Sequence, residues 1–83
     1  MDTYDFARAS VVGGSDTAFV WFFSKDFEVS GEFTITISDR GRAFEAIKEE
    51  IVARGYKPLL MDFKRDLSGN ESYRIELEID PSV

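Results

Sequence analysis

One segment of the chain, residues 17–23 with the sequence TAFVWFF, is apolar at almost every position. Its β-branched and aromatic residues predict a β-strand, which extends to Ser24. Alternate residues of a strand point to opposite sides, so this strand presents two apolar sets: Phe19, Trp21 and Phe23 on one side, and Ala18, Val20 and Phe22 on the other. A half-exposed strand would be polar on one side. This strand is therefore predicted to be central, covered on both sides, or part of an interface.

The length of 83 residues predicts a single compact domain, residues 1–83. Hydrophobic residues make up 43% of the chain and aromatic residues 14%. This apolar content is far above that of a disordered segment, and the large aromatic side chains bury much surface per residue. We therefore expect the chain to fold without metals or disulfides.

Four further segments predict strands because they are apolar or alternate with period two and are bounded by turn-forming residues. They are residues 6–12, 32–37, 59–64 with Pro58 at the start, and 73–79. Turns are predicted at residues 13–16 and 66–71, and a loop at residues 25–31. Arg8, the one charge in the first segment, predicts that this strand lies at a sheet edge or exposes one face to water.

A helix is predicted over residues 40–54. Its apolar stripe consists of Ala43, Phe44, Ile47 and Ile51. Ser38 and Asp39 are suitable capping residues before it, and Gly55 occupies the position of a left-handed residue after it.

The predicted order β-β-β-α-β-β indicates an α+β fold, a two-layer sandwich with one amphipathic helix on one face of an antiparallel sheet of four to five strands. The last two strands form a hairpin, and their place beside or around the first hairpin stays open. Alternation places these further residues on the helix side: Phe33, Ile35, Ile37, Leu59, Met61, Phe63, Tyr73, Ile75, Leu77 and Ile79.

With Phe19, Trp21 and Phe23 also assigned to the helix side, Val20 and Phe22 are predicted on the uncovered face of the sheet. Their predicted neighbours there are Glu32, Thr34, Thr36, Asp62, Glu76 and Glu78. An apolar patch with a polar and acidic rim is typical of a protein interface. We take these eight residues as the candidate partner-binding site. The alternative is that the N-terminal strand or residues 27–29 fold over the patch.

The chain contains no Cys and no His, so thiol nucleophiles, disulfides and imidazole or thiolate metal ligands are excluded. Paired carboxylates such as Glu76 and Glu78 fall on faces predicted to be solvated, whereas acid–base catalysis needs a carboxylate in an apolar pocket. We therefore expect no enzyme, no catalytic residue, no cofactor and no metal site.

Sixteen acidic and ten basic residues give a net charge of -6, which repels nucleic acids and membrane surfaces. The leading hypothesis is a non-catalytic protein-binding module that occludes or bridges a partner protein with a basic surface. Size and charge also suit a phage or mobile-element inhibitor, a viral accessory protein that mimics nucleic acid.

Two alternatives remain open. One is a structural homodimer through the open sheet, and the other is a single-stranded nucleic-acid binder that stacks bases on Trp21, Phe22 and Phe23. The second requires basic residues to cluster on the face of those rings, from among Arg8, Lys25, Lys57, Lys64, Arg65 and Arg74.

The N-terminal sequence MDTYD is acidic where a signal peptide is basic, and the longest apolar run is far shorter than a membrane span. We therefore expect a cytoplasmic protein without membrane contact.

Overall fold

A computed structural model of the chain describes residues 4–24 and 29–79. The described elements are five strands, a 3₁₀ turn and a helix: β1 (Phe6–Val11), β2 (Thr17–Phe23), β3 (Val29–Thr36), the 3₁₀ turn Arg40–Arg42, α1 (Ala43–Ala53), β4 (Tyr56–Arg65) and β5 (Glu71–Ile79). β3 begins at Val29, so residues 29–31 of the predicted loop belong to a strand. The rest of that loop, residues 25–28, lies outside the described residues.

The strands form one sheet in the order β3-β2-β1-β5-β4, and every neighbouring pair is antiparallel. The α+β two-layer prediction and the terminal hairpin of β4 and β5 are confirmed. β5 pairs with β1, so β1 is the central strand and exposes Arg8 on one face, the second of the two predicted alternatives. β3 and β4 are at opposite edges, and α1 crosses one face of the sheet between them.

The predicted helix over residues 40–54 is present as the 3₁₀ turn Arg40–Arg42 followed by α1, Ala43–Ala53, so the α-helix itself begins three residues later than predicted. The Asp39 carboxylate accepts a hydrogen bond from the Gly41 N–H at 2.9 Å, which caps the 3₁₀ turn preceding α1. Gly55 has φ of 92°, a left-handed conformation that glycine adopts without steric cost, and its N–H donates to the Val52 carbonyl. Arg54 pairs with Glu50 at 3.2 Å and lies 4.0 Å from the Phe33 ring centre, joining the helix end to the β3 edge.

The hydrophobic core lies between α1 and the sheet. Its buried residues are Ala7, Ala9, Val11, Ala18, Val20, Phe22, Ile37, Ala43, Ile47, Ile51, Tyr73, Ile75 and Leu77. Small residues at the centre of the covered face, Ala7, Ala9 and Ala18, leave room for the helix residues Ile47 and Ile51, which are fully buried.

The orientation predicted for β2 is wrong. Val20 and Phe22 are 0% and 3% exposed and face α1, whereas Phe19, Trp21 and Phe23 are half-buried on the opposite face. The register explains this, because Ala9 pairs with Val20 and Ala7 with Phe22, and directly paired residues share a face. The Tyr4 and Phe33 rings contact Phe22, with centroids at 5.2 and 5.3 Å, and complete its cover. These paired residues fix which side of β2 the helix covers.

The prediction for β4 is also wrong in part. A register shift between Leu60 and Asp62 breaks the alternation, so Leu59 pairs with Glu76 on the uncovered face while Phe63 pairs with Tyr73 on the helix side. Leu59, Met61 and Phe63 are all exposed, as is Ile79 at the end of β5. Phe33 and Ile35 are partly buried on the helix side as predicted, and Ile37, Tyr73, Ile75 and Leu77 are buried there.

The β1–β2 and β4–β5 turns contact each other at one end of the sheet. The Gly13 N–H donates to the Asn70 side-chain carbonyl at 2.7 Å. A Cβ on Gly13 would lie 2.1 Å from the Ser68 carbonyl oxygen, whereas a Cβ on Gly14 would meet no atom within 4 Å. The two hairpins can approach this closely only because residue 13 has no side chain.

We expect Gly13→Ala to lower the free energy of unfolding more than Gly14→Ala. The first variant must move the backbone of the opposite turn, at a cost of about 2–3 kcal/mol. The second introduces only a strained left-handed alanine, since Gly14 has φ of 78°, at about 1 kcal/mol. Urea denaturation of both variants checks this, and equal losses would contradict the turn contact.

Phe22→Ala should destabilise the fold far more than Phe19→Ala. Removing the buried ring leaves a cavity under α1, at about 3–5 kcal/mol. Removing the ring on the uncovered face loses mainly its stacking on Trp21, about 1 kcal/mol. Denaturant midpoints of the two variants measure the difference, and the reverse order would refute the orientation of β2.

Candidate functional site

The sheet face opposite α1 is the candidate site, and we call it the open face because no described element packs over it. The register of the five strands assigns its residues. They are Glu32, Thr34 and Thr36 of β3, Thr17, Phe19, Trp21 and Phe23 of β2, Phe6, Arg8 and Ser10 of β1, Ser72, Arg74, Glu76 and Glu78 of β5, and Lys57, Leu59, Asp62 and Lys64 of β4.

Four aromatic residues form the centre of the β1–β2 half of this face. Phe6 and Phe23 pair across the strands, and their rings are stacked with centroids 4.9 Å apart and planes inclined by 5°. Phe19 and Trp21, two positions apart on β2, are also near-parallel, with centroids 6.2 Å apart. We call these four residues the aromatic patch. All four are half-buried, so part of each ring surface is open to a partner.

Two arginines lie beside the aromatic patch. Arg8 and Arg74 are directly opposite each other on β1 and β5, and each guanidinium carbon lies 6.0 Å from a ring centre, of Phe23 and Phe6 respectively. Like charges directly opposite on neighbouring strands destabilise a sheet, and the cation–π contacts offset part of that cost. The pair creates a local positive centre on a protein of net negative charge.

Shallow grooves of about 510 and 550 Å³ lie on either side of Arg74. Phe6, Met61, Asp62 and Glu76 line the first of them. The second runs between Trp21 and Lys64. The open face is therefore a shallow surface suited to contact with a macromolecule and lacks the deep enclosure typical of small-molecule sites.

The structure brings six of the eight sequence-predicted site residues together on the open face, all exposed: Glu32, Thr34, Thr36, Asp62, Glu76 and Glu78. Three of them pair with members of the aromatic patch, Glu32 with Trp21, Thr34 with Phe19 and Glu76 with Phe6. The other two, Val20 and Phe22, lie in the core. Rings from the opposite side of β2 take their place in the site.

Arg8 and Arg74 were named only for the nucleic-acid alternative and not among the eight partner-binding residues, and Phe6 was not named as a site residue. The signal for them was the alternation of β1, where Arg8 and Ser10 are polar while Ala7, Ala9 and Val11 are apolar. That pattern predicts which side of β1 meets water, and the hairpin register then extends the assignment to β2.

A buried carboxylate lies elsewhere, at the first residue of β5, directly after the β4–β5 turn. Glu71 is 3% exposed and accepts hydrogen bonds from Arg65 Nε at 3.0 Å and from the Tyr73 hydroxyl at 3.3 Å. The Glu71 hydrogen bond raises the pKa of Arg65. Glu71 is ion-paired with Arg65 and hydrogen-bonded to Tyr73, so we interpret it as a structural link within the hairpin.

The adjacent turn holds a second hydrogen-bonded carboxylate. Asp66 accepts a side-chain hydrogen bond from Asn70 and backbone hydrogen bonds from Asn70 and Ser68, each at 2.9 Å. Chiefly the Asn70 side chain, and then these backbone N–H groups, lower the pKa of Asp66. Asn70 also accepts from Gly13, so this carboxylate orders the contact between the two hairpin turns.

Metal-binding geometry is not found in the described parts of the chain, residues 4–24 and 29–79, where no three acidic side chains converge as ligands. None of the helical residues in those ranges forms a segment long and apolar enough to cross a membrane.

Comparison with known proteins returned no match to a protein-family model, to a curated protein or to a solved structure.

The lowered pKa of Asp66 predicts a specific acid sensitivity. Its folded-state value is below the unfolded value of about 3.9, so its contribution to stability is complete above that pH and is lost as pH falls through the folded-state pKa. Carboxyl ¹³C NMR titration should give a midpoint below about 3.9 for Asp66. Asn70→Ala removes the main donor and should raise that midpoint, whereas an unchanged midpoint would show that Asn70 is not the cause.

Proposed function

We propose that this chain is a non-catalytic protein-binding module whose contact surface is the open face. The aromatic patch beside Arg8 and Arg74 is the observation that carries the proposal. Aromatic residues and arginine are the types enriched at interface centres and at energetic hot spots, because they bury large area with few rotatable bonds. Exposed polar residues at the edges, such as Thr34 and Glu78, supply the rim that such interfaces have.

Charge on this face favours a partner with a mixed pattern. Arg8 and Arg74 at the centre would bind a carboxylate of the partner, since two adjacent guanidiniums can donate several hydrogen bonds to it. Around them, Glu32, Glu76 and Glu78 would face basic side chains, in keeping with the net charge of -6. We therefore propose that the partner's contact surface has an apolar and acidic centre surrounded by basic residues. This chain would act by occluding that surface of the partner.

Single-stranded nucleic acid is the second candidate. Arg8, Lys57, Lys64 and Arg74 lie on the face of the rings, as base stacking with phosphate contacts would require. Two observations favour protein. This face carries as many acidic residues as basic ones, and the four acidic residues are Glu32, Asp62, Glu76 and Glu78. The Phe6 and Phe23 rings also stack on each other, so each has less ring surface left on which a base could stack.

A photoreactive phenylalanine at position 19, introduced in the cells that produce the protein, tests the proposal. We expect a crosslinked protein of defined mass from position 19 and none from the control position Val52, which is 47% exposed on α1. Arg74→Ala should reduce the yield about tenfold or more, as loss of a hot-spot arginine does, while Lys48→Ala on α1 should not. Equal crosslinking from positions 19 and 52, or none from 19, would refute the proposal.

Trp21, the one tryptophan of the chain, separates the two candidates because it reports directly from the open face. We expect its fluorescence to be unchanged by an oligo(dT) of about ten nucleotides at low salt, a length that covers an OB-fold-sized site. Quenching that weakens steeply with added salt would instead establish the nucleic-acid reading.

A further inference from the structure

β4 is an edge strand with an unusual surface. It spans ten residues, and within the described part of the chain its one strand neighbour is β5. Four of its apolar residues are exposed: Leu59, Leu60, Met61 and Phe63. Long edge strands with exposed apolar residues are templates for pairing with another strand.

The two halves of β4 differ in how well they could pair. Pro58 lacks a backbone N–H, and the register shift between Leu60 and Asp62 interrupts the first half. From Asp62 to Arg65 the pairing with β5 is regular, so this half keeps a regular outer edge. Any added strand should therefore pair with residues 62–65.

The charge pattern of this regular half is self-complementary. Asp62 and Lys64 lie on the open face on either side of Phe63, which points to the helix side. If a second copy pairs antiparallel with Phe63 opposite Phe63, Asp62 of each copy lies opposite Lys64 of the other, on the same face. Both charged side chains are exposed, at 55% and 78%, and are only loosely associated within one chain at 4.0 Å. Opposite charges directly across from each other stabilise antiparallel pairs.

We propose that two copies of this chain associate through their β4 edges to form a continuous ten-stranded antiparallel sheet. The two Phe63 residues then lie opposite each other across the two-fold axis. The occupant of the edge is a second copy because one register places Phe63 opposite Phe63 and both charges of the pair Asp62 and Lys64 opposite the contrary charges, as an isologous interface requires. This proposal does not depend on the proposed function. It also keeps both open faces on one side of the sheet, with the two β1 strands about 24 Å apart at about 4.8 Å per strand.

Charge reversal tests the register. In sedimentation velocity from about 1 µM to about 1 mM, bracketing an affinity of moderate strength, the full chain should pass from monomer to dimer. Asp62→Lys and Lys64→Asp each create two like-charge pairs across the axis and should weaken the dimer about tenfold. The double variant Asp62→Lys/Lys64→Asp restores both pairs and should recover the original dissociation constant.

Glu49→Lys and Lys48→Asp on α1 are the matched controls, since they make the same changes in net charge on the exposed helix surface. They should leave dimerisation unchanged. A chain that stays monomeric throughout, or a double variant no better than the single ones, would overturn the proposal. Amide hydrogen exchange gives a second readout, because the outward-facing amides of residues 62–65 should become more protected as concentration rises, and unchanged protection there would also overturn it.

Discussion

The coverage of the sheet by α1 on one side is the constraint on which the rest of the structure depends. β2 is apolar on both faces, and of the described elements α1 alone packs against the sheet. One apolar set of β2 must therefore remain on the open face. The small residues Ala7 and Ala9 of the neighbouring strand place the helix over Val20 and Phe22, so the larger set with Trp21 is the one left facing outward.

Much of the fold followed from local sequence signals, since alternation, turn residues and helix caps act over a few residues. The order of elements, the terminal hairpin and the left-handed Gly55 after the helix were predicted on that basis, whereas the predicted cap Asp39 serves the 3₁₀ turn that precedes α1. The side of β2 that faces the helix was not predicted correctly, because β2 is apolar on both sides and its own alternation does not distinguish them. Combining Arg8 with the hairpin register of β1 and β2 would have decided it.

The candidate site was predictable in part for the same reason. Polar residues such as Thr34 and Glu76 could be assigned to the open face, because a polar residue on a strand indicates its wet side directly. The register shift in β4 could not be foreseen, since Leu59, Met61 and Phe63 alternate perfectly in the sequence. Only the pairing with β5 places Leu59 and Phe63 on opposite faces. Strict alternation is therefore a weaker guide in an edge strand, where a bulge meets little opposition from neighbours.

The aromatic patch and the β4 edge occupy different parts of one sheet, and their physical characters differ. The patch is held by contacts within the chain, with Phe6 on Phe23 and an arginine beside each, so its shape exists before any partner arrives. A preformed surface loses little conformational entropy on binding. At the edge, Asp62 and Lys64 are mostly solvated, so pairing there must order both side chains, and beyond the backbone hydrogen bonds of the new strand pair it gains only exposed charge contacts and the Phe63 contact. If both proposals hold, the open face makes the stronger contact, and the edge makes a weaker one that brings two such faces together.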